Sequence, residues 1–342
     1  MLRSLYSGIS GLRAHQTMLD VSGNNVANVN TVGFKSSAVQ FQDTLSQLTA
    51  GGSAGANGNG GTNPAQVGLG VQVAGVTTNF AQGASQSTGK ATDMMISGDG
   101  FFVTTRNGQE QYTRNGAFSL DGNGRLTAND GSLVQGWAAV NGQIPAGGAI
   151  GGITLSGATL SPAKATTTST IGGNLPSDAA IGTELVREIE VFDAAGTAST
   201  LSLAFTRTGA GWAVAGETAA GATGTGALAF TAGKQAAPGT TINVGGIAVD
   251  LSTVTGFSGE TTVASTGQNG FAAGVLESFT VSPDGTLVGS FSNGTTANVA
   301  RVALASFTNP AGLEKAGGNT YLASPNSGNP AVGSGGTNGG TG

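Results

Sequence analysis

Residues 2–35 read LRSLYSGISGLRAHQTMLDVSGNNVANVNTVGFK, and the organisation of the chain is worked outward from them. Leu5, Leu12, Leu19 and Val26 recur every seven residues, whereas a second row that starts with Leu2 and Ile9 fades into Gln16 and Gly23. A seven-residue apolar repeat suits a partner helix better than a globular core. The spacing predicts an α-helix over 2–26. Ser7, Ser10 and Ala14 lie opposite the stripe at helical spacing, and their small side chains let another backbone come close. A helix greasy on one flank and slender on the other is expected to be sandwiched by neighbours. If the four seven-spaced side chains were fully buried they would contribute roughly 6–12 kcal/mol, an upper bound because the unfolded chain already hides some area. The same pattern also fits an amphipathic helix docked on its own domain. A helix of this length is marginal alone in water, so residues 1–28 are expected to order mainly when both faces are covered.

Composition narrows the class. With 61 Gly and 9 Pro among 342 residues, about one fifth of the chain, many strands and turns are expected. Length alone suggests two or three domains. Only 9% of residues are charged, 13 Lys and Arg against 18 Asp and Glu, for a net charge of −5. Lys and Arg form no cluster, which argues against a nucleic-acid partner. Surfaces poor in charge and rich in Thr, Ser, Gly and Ala can pack against copies of themselves at little cost in ion desolvation. Cysteine is absent, so disulfides, thiolate catalysis and Cys-bound metals are excluded. Arg13, His15 and Asp20 interrupt the apolar run that a cleavable signal peptide needs, and no apolar run is long enough for a membrane span. No membrane insertion is expected.

Further along, 39–48 is expected to form a second short helix, and the Gly-rich stretch 51–61 a linker that uncouples the helical segment from the downstream chain. Val67, Leu69, Val71 and Val73 alternate with small or polar residues as in a half-buried strand. Residues 101–103, 111–113, 118–120 and 133–134 read as further strands, with Asp121-Gly122-Asn123-Gly124 as a tight turn. Near Pro145 the texture changes to Ala, Thr and Gly, and from Val275 the richer pattern returns. The expected fold is mainly β with an N-terminal α-helical segment, an elongated multidomain chain in which one β domain is inserted into another. The expected pieces are 1–62 (helical segment and linker), 63–147 plus 273–324 (discontinuous β-rich core domain), 148–272 (inserted β-rich outer domain) and 325–342 (Gly-rich linker).

These residues resemble the flagellar rod and hook axial protein family. The opening helix runs into an Asn-rich motif, here Asn24, Asn25, Asn28, Thr31, Gly33, Phe34 and Lys35. Two later stretches, GDGFFVTTRNGQEQYTRNGAFSLDGNGRLTANDGSLVQGW and FSNGTTANVARVALASFTNPAGLEKAGGNTYLASPNSG, are similar to the family's other hallmarks. Together the resemblance covers about residues 1–48, 97–137 and 275–328, and the large middle module fits hook-type members better than the shorter distal-rod relatives. It implies a structural, non-enzymatic subunit that forms a helical polymer of identical chains, a curved hollow tube that passes torque while bending. It further implies rod proteins, hook-cap and hook–filament junction proteins as partners, export through the flagellar channel without cleavage, and no cofactor. Members end in a C-terminal helix that pairs with the N-terminal one. This chain stops at Gly342, before such a helix, and is therefore expected to be truncated.

Enzymatic readings are weak by comparison. The only histidine, His15, sits on the flank of the stripe, and any Ser-His-Asp arrangement must use it. Residues 121–124 hint at a calcium loop, but Arg125 and Ser132 occupy positions that need oxygen ligands. Gly89-Lys90-Ala91 lacks the P-loop spacing. Asp93, Asp99 and Glu110 are read as solvated carboxylates near a hairpin. The sequence thus predicts neither a catalytic nor a metal site. A secreted adhesin is the rival of another class, suggested by the Thr/Gly/Ala-rich middle, and it lacks the usual signal peptide or repeats. A glycan-degrading enzyme ranks third and lacks an acid/base pair.

Overall fold

The computed structural model describes residues 2–55, 60–140, 142–145, 147–156, 159–237, 239–336 and 340–341. It is mainly β, with one long helix, α1 (Leu2–Ala27). The chain divides into two compact units. The first comprises 1–155, 280–288 and 298–342, the second 156–279 and 289–297. The chain therefore passes from one to the other at 155, 279, 288 and 297. The segment 148–155 belongs to the first unit, where Gly151–Gly152 pairs with Gln135–Gly136 and Ile153 is buried.

In the first unit, α1 is followed by a long two-stranded ribbon. Strands β1 (Ser37–Asp43) and β2 (Ser46–Ala50) run out; β3 (Ala65–Gly68) and β4 (Val71–Thr78) return antiparallel. The helix expected over 39–48 is thus two strands. Val39 and Phe41 alternate with Gln40 and Gln42, and across the ribbon they pair with Val76 and Val73, a bulge at Gln40/Phe41 taking up the odd residue. Where the Gly-rich stretch is described, Ser53 and Thr62 exchange backbone hydrogen bonds of 3.0 Å and continue the pairing of the ribbon; the expected linker residues 56–59 lie outside the described ones.

The rest of the unit is an antiparallel sheet with an aromatic core cluster. Phe101, Val103, Tyr112, Trp137, Ala303, Ala305, Phe307 and Tyr321 are buried together. Phe80 meets Phe101 and Tyr321 edge to face with centroids 5.4 Å apart, and Tyr112 meets Phe307 at 4.8 Å. Such tilted pairs add to the area term because ring edges are positive and faces negative. The turn at 121–124 joins strands Phe118–Leu120 and Leu126–Ala128. The tail expected as a linker from 325 is instead strand-paired over Ala331–Gly333 with Leu304–Ser306. The open backbone edge of that strand offers the partners, and small side chains suffice.

The second unit is a sandwich of two four-stranded sheets. One is an antiparallel meander of Glu184–Phe192, Ala198–Thr208, Gly211–Thr218 and Thr223–Leu228; the other contains a parallel pair, Thr168–Asn174 and Ile247–Thr255. Leu201, Leu203, Phe205, Trp212 and Val214 from the first sheet and Ile171, Val249 and Leu251 from the second form one core. The inward residues alternate along each strand, as the sandwich requires.

Candidate functional site

The two flanks of α1 have different fates. Along one run Ser7, Ser10, Gly11, Ala14, Thr17, Met18, Val21 and Asn25, all turned toward cover, and Ala14 is only 4% exposed. This flank lies on the ribbon. The Val71 amide donates to Ser10 Oγ at 3.3 Å, and the same hydroxyl donates to Ser7 O at 2.8 Å. A Cβ on Gly70, whose φ is +128°, would stand 2.3 Å from Ser10 Oγ, so the ribbon needs glycine where it passes the helix. The His15 ring, itself exposed, tilts against Phe41 with centroids 5.5 Å apart.

Ser7, Ser10 and Ala14 therefore admit a neighbouring backbone, but that backbone belongs to the chain itself. The chain's own ribbon thus partly covers the slender flank in the single chain. Small side chains let strands approach, and the nearest strands are those tethered a few residues away.

On the other flank Leu5, Leu12, Leu19 and Val26 are 59%, 73%, 66% and 72% exposed, and Ile9 is exposed beside them. The Leu2 side chain lies outside the described ones. An uninterrupted row of four large apolar side chains in water is a binding surface in search of cover.

The Asn-rich motif holds the helix in this pose. Asn25 acts as a backbone mimic for β1: its Nδ2 donates to Ser37 O at 2.8 Å and its Oδ1 accepts the Ser37 amide at 3.0 Å. Asn28 Nδ2 donates to Asn24 O at 2.9 Å and its Oδ1 accepts Thr31 Oγ1 at 3.1 Å, which satisfies groups the helix end leaves open. Gly33 has φ +74°, and a Cβ there would come within 2.7 Å of the Asn115 backbone. Asn319 Nδ2 donates to Val32 O at 3.0 Å, and Lys315 lies 5.8 Å from the Phe34 ring centroid while donating to Ser37 Oγ at 2.8 Å. Lys35 Nζ donates to Ala81 O at 2.7 Å. Burial, and then the Arg114 guanidinium, hold the Lys35 ammonium below its usual range; burial does the same to Lys315. The motif is thus a knot that ties the helix end to the sheet of its own unit.

The tie points match in length. From Asn25 back to Arg3 is twenty-two helical residues, roughly 33 Å at about 1.5 Å each, and from Ser37 to Gln47 is ten strand residues, again roughly 33 Å at about 3.3 Å each. Arg3 Nη1 duly donates to Gln47 Oε1. The helix runs antiparallel to β1 and is pinned at both ends.

The partners Phe41, Val71, Asn115, Lys315 and Asn319 were not legible as site residues; only the alternation of Val71 and Val73 hinted at a packing face. The other candidates have local roles. Asp121 accepts the Arg125 amide at 2.8 Å and the Asn123 amide at 2.9 Å, and these bonds hold its carboxyl below the usual range. Glu110 accepts Tyr112 Oη–H at 3.1 Å, and Asp99 faces Arg114 at 4.0 Å. Among the described residues no group of three or more His, Cys, Asp or Glu could hold a metal ion, and no helix is long and apolar enough to cross a membrane.

Comparisons with known proteins converge on one family. Residues 95–172 match the family model described as flagellar hook protein FlgE/F/G D1 domain, and 5–35 match that of the flagella basal body rod protein. The chain is 36% identical to the flagellar hook protein FlgE of Borreliella burgdorferi over 97% of its own length and 87% of that protein's. It is 53% identical to the flagellar basal-body rod protein FlgG of Bacillus subtilis over 39% of its length and 51% of that protein's. The crystal structure of Helicobacter pylori flagellar hook protein FlgE2 aligns with a TM-score of 0.46 at 13% identity, covering 71% of this chain and 95% of that one.

Proposed function

Because the chain belongs to the flagellar hook protein family, we propose that it is a structural subunit of the bacterial flagellar hook whose α1 stripe is covered on assembly. One observation carries the reading: the helix spends its slender flank on its own ribbon and leaves Leu5, Leu12, Leu19 and Val26 in water. A closed globular chain would gain by burying them. A subunit of a helical polymer keeps them for its neighbours, and contacts that repeat head to tail extend without closing. The motif residues 24–35 act as the rigid joint that fixes the stripe relative to the first unit. On this reading the second unit, 156–279 and 289–297, serves as an outer domain of the subunit.

In this role the polymer transmits torque from motor and rod to filament, and its other partners are rod, hook-cap and hook–filament junction proteins. The subunit needs neither catalysis nor a cofactor, and it reaches the flagellum by the export channel without a cleaved signal. The rod reading is favoured by the higher identity to the rod protein, but that likeness leaves about three fifths of the chain unmatched. Electron microscopy of the purified subunit discriminates: tubes that curve support the hook, straight tubes the rod, and monomers at every concentration refute both.

A further inference from the structure

The sheet of the first unit has a second apolar face. Phe102 and Leu304 stand directly opposite each other across the strands Phe101–Arg106 and Leu304–Ser306, while the next pair, Phe101 and Ala305, belongs to the aromatic cluster on the other side. On the Phe102 face Ile96 and Val302 join them, and all four are at most 9% exposed. They floor a half-open cavity of about 320 Å³ that lies wholly within this unit. Met94, Met95, Val281 and Pro283 wall it, and Gly285 and Gly335 complete its backbone lining. The polar side chains that line it are those of Asp93 and Ser282.

The walls are held apart by bonds that do not depend on any content. Met94 N donates to Gly116 O at 2.9 Å on one side. On the other, Gly285 N donates to Ser282 O at 2.9 Å, Ser282 N to Thr286 O at 2.8 Å and Val302 N to Gly285 O at 3.0 Å. Collapse would break these bonds, so the space persists. Water inside meets mostly apolar side chains, and an apolar body displaces such water at a gain. The flexible thioethers of Met94 and Met95 can adjust to its shape. The carboxylates of the two walls differ. Asp284, in the turn, accepts Thr286 Oγ1–H at 2.7 Å and faces Arg301 at 3.2 Å. Asp93 has no side-chain hydrogen bond or ion pair among the described residues, and neither has the Ser282 hydroxyl.

We propose that this cavity binds a small amphipathic cation, an ammonium group carried on an aromatic or branched aliphatic body. The body packs on Phe102, Val302 and Leu304, and the ammonium donates to the Asp93 carboxylate and the Ser282 hydroxyl, a charge-assisted pairing that uses the two unpartnered groups together. Asp93 repels an anion of the same shape, and a purely apolar ligand leaves the carboxylate without a counter-charge. The volume stands at the small end of ligand pockets, about 300–1,000 Å³, which limits the body to a single ring or a short branched chain. The site does not draw on the assembly reading.

The scarcity of methionine makes the test clean, since the chain has 4 and Met94 and Met95 line the cavity. Methyl-labelled methionine in the full chain, kept dilute and unassembled, reports the site by magnetic resonance, with Met18 on α1 as the internal control. The probe is phenethylammonium, set against its neutral isostere phenethyl alcohol. Saturable shifts of the Met94 and Met95 methyls are expected, with Met18 unmoved and the amine bound about fivefold more tightly than the alcohol, the scale of one partly exposed ion pair. Asp93→Asn should bring the two probes within about twofold of each other while the melt stays unchanged. Met95→Trp, at a side chain 43% exposed, should weaken both probes as read at Met94. Probes that leave Met94 and Met95 unmoved overturn the inference. Equal affinity of the parent chain for the two probes also overturns it, as does a preference for the amine that survives Asp93→Asn.

Discussion

Replacing Leu12 by alanine probes the exposed stripe at its middle. The substitution removes three carbons, worth about 0.8 kcal/mol each when fully buried, and 73% of the residue is accessible in the isolated chain. Covering that fraction in an assembly therefore puts about 1.8 kcal/mol at stake per subunit. At 1.4 kcal/mol per tenfold change, the critical concentration for polymerisation should rise roughly twentyfold. The stability of the β units should stay within about 0.5 kcal/mol of the parent, as for any exposed site. Sedimentation of polymer across a concentration series measures the first quantity, and circular dichroism melts of dilute subunit the second. An unchanged threshold, or a melt of the β units that falls by the same 2 kcal/mol or so, would refute the reasoning, because the stripe would then be either idle or part of a core.

Three further outcomes test the anchor and the sheet. Asn25→Ala deletes both hydrogen bonds to Ser37, about 1–3 kcal/mol in all, and should speed proteolysis within α1 while the core strands stay protected. Gly33→Ala places a Cβ 2.7 Å from the Asn115 backbone in a left-handed residue; a cost of about 2 kcal/mol or more is expected from chemical denaturation. Burial alone would raise the Asp284 carboxyl, but Thr286 hydrogen bonds and the Arg301 charge outweigh it and hold it below its usual value. A depressed carboxylate adds stability that is present above its unfolded pKa of about 3.9 and is lost as pH falls through the folded one; melting of Asp284→Asn and parent should therefore differ modestly at pH 7 and converge below about pH 4.

The legible part of the fold was the part with a clear period. The heptad row set the helix almost to its ends, and the alternation of Val71 and Val73 marked a strand. Residues 39–48 misled because Val39, Phe41, Thr44, Leu45 and Leu48 carry both helical and strand spacings, and the deciding fact, a matching row at 71–76, lies some thirty residues away. Pairing partners at such distance leave no local mark. The tail misled for the opposite reason: Ala331–Gly333 has no pattern at all and forms a strand because Leu304–Ser306 presents an open edge. The site was half legible. Which side chains line the stripe can be read from periodicity, whereas which flank is already occupied depends on a ribbon that the local pattern did not reveal.

That occupied flank sets how firmly the helix is held before assembly. Its residues are mostly Ser, Gly, Ala and Thr, which bury little apolar area; only Met18 and Val21 are larger, and both are partly covered. At about 1.5–3 kcal/mol for a full burial, the half-buried pair contributes roughly 1.5–3 kcal/mol, and both it and the Asn25 bonds lie toward the helix C-terminus. The first three turns rest on Ser7, Ser10 and Arg3 alone. Hydrogen exchange of the free subunit should therefore show protection that rises from residue 5 to residue 25 and stays below that of the core strand Phe101–Arg106, because opening costs less where fewer contacts must break. In the polymer the gradient should vanish as neighbours cover Leu5 and Leu12. Uniform, core-level protection of the whole helix in the free subunit would mean that the slender flank suffices to hold it, and the exposed stripe would then add nothing to its order.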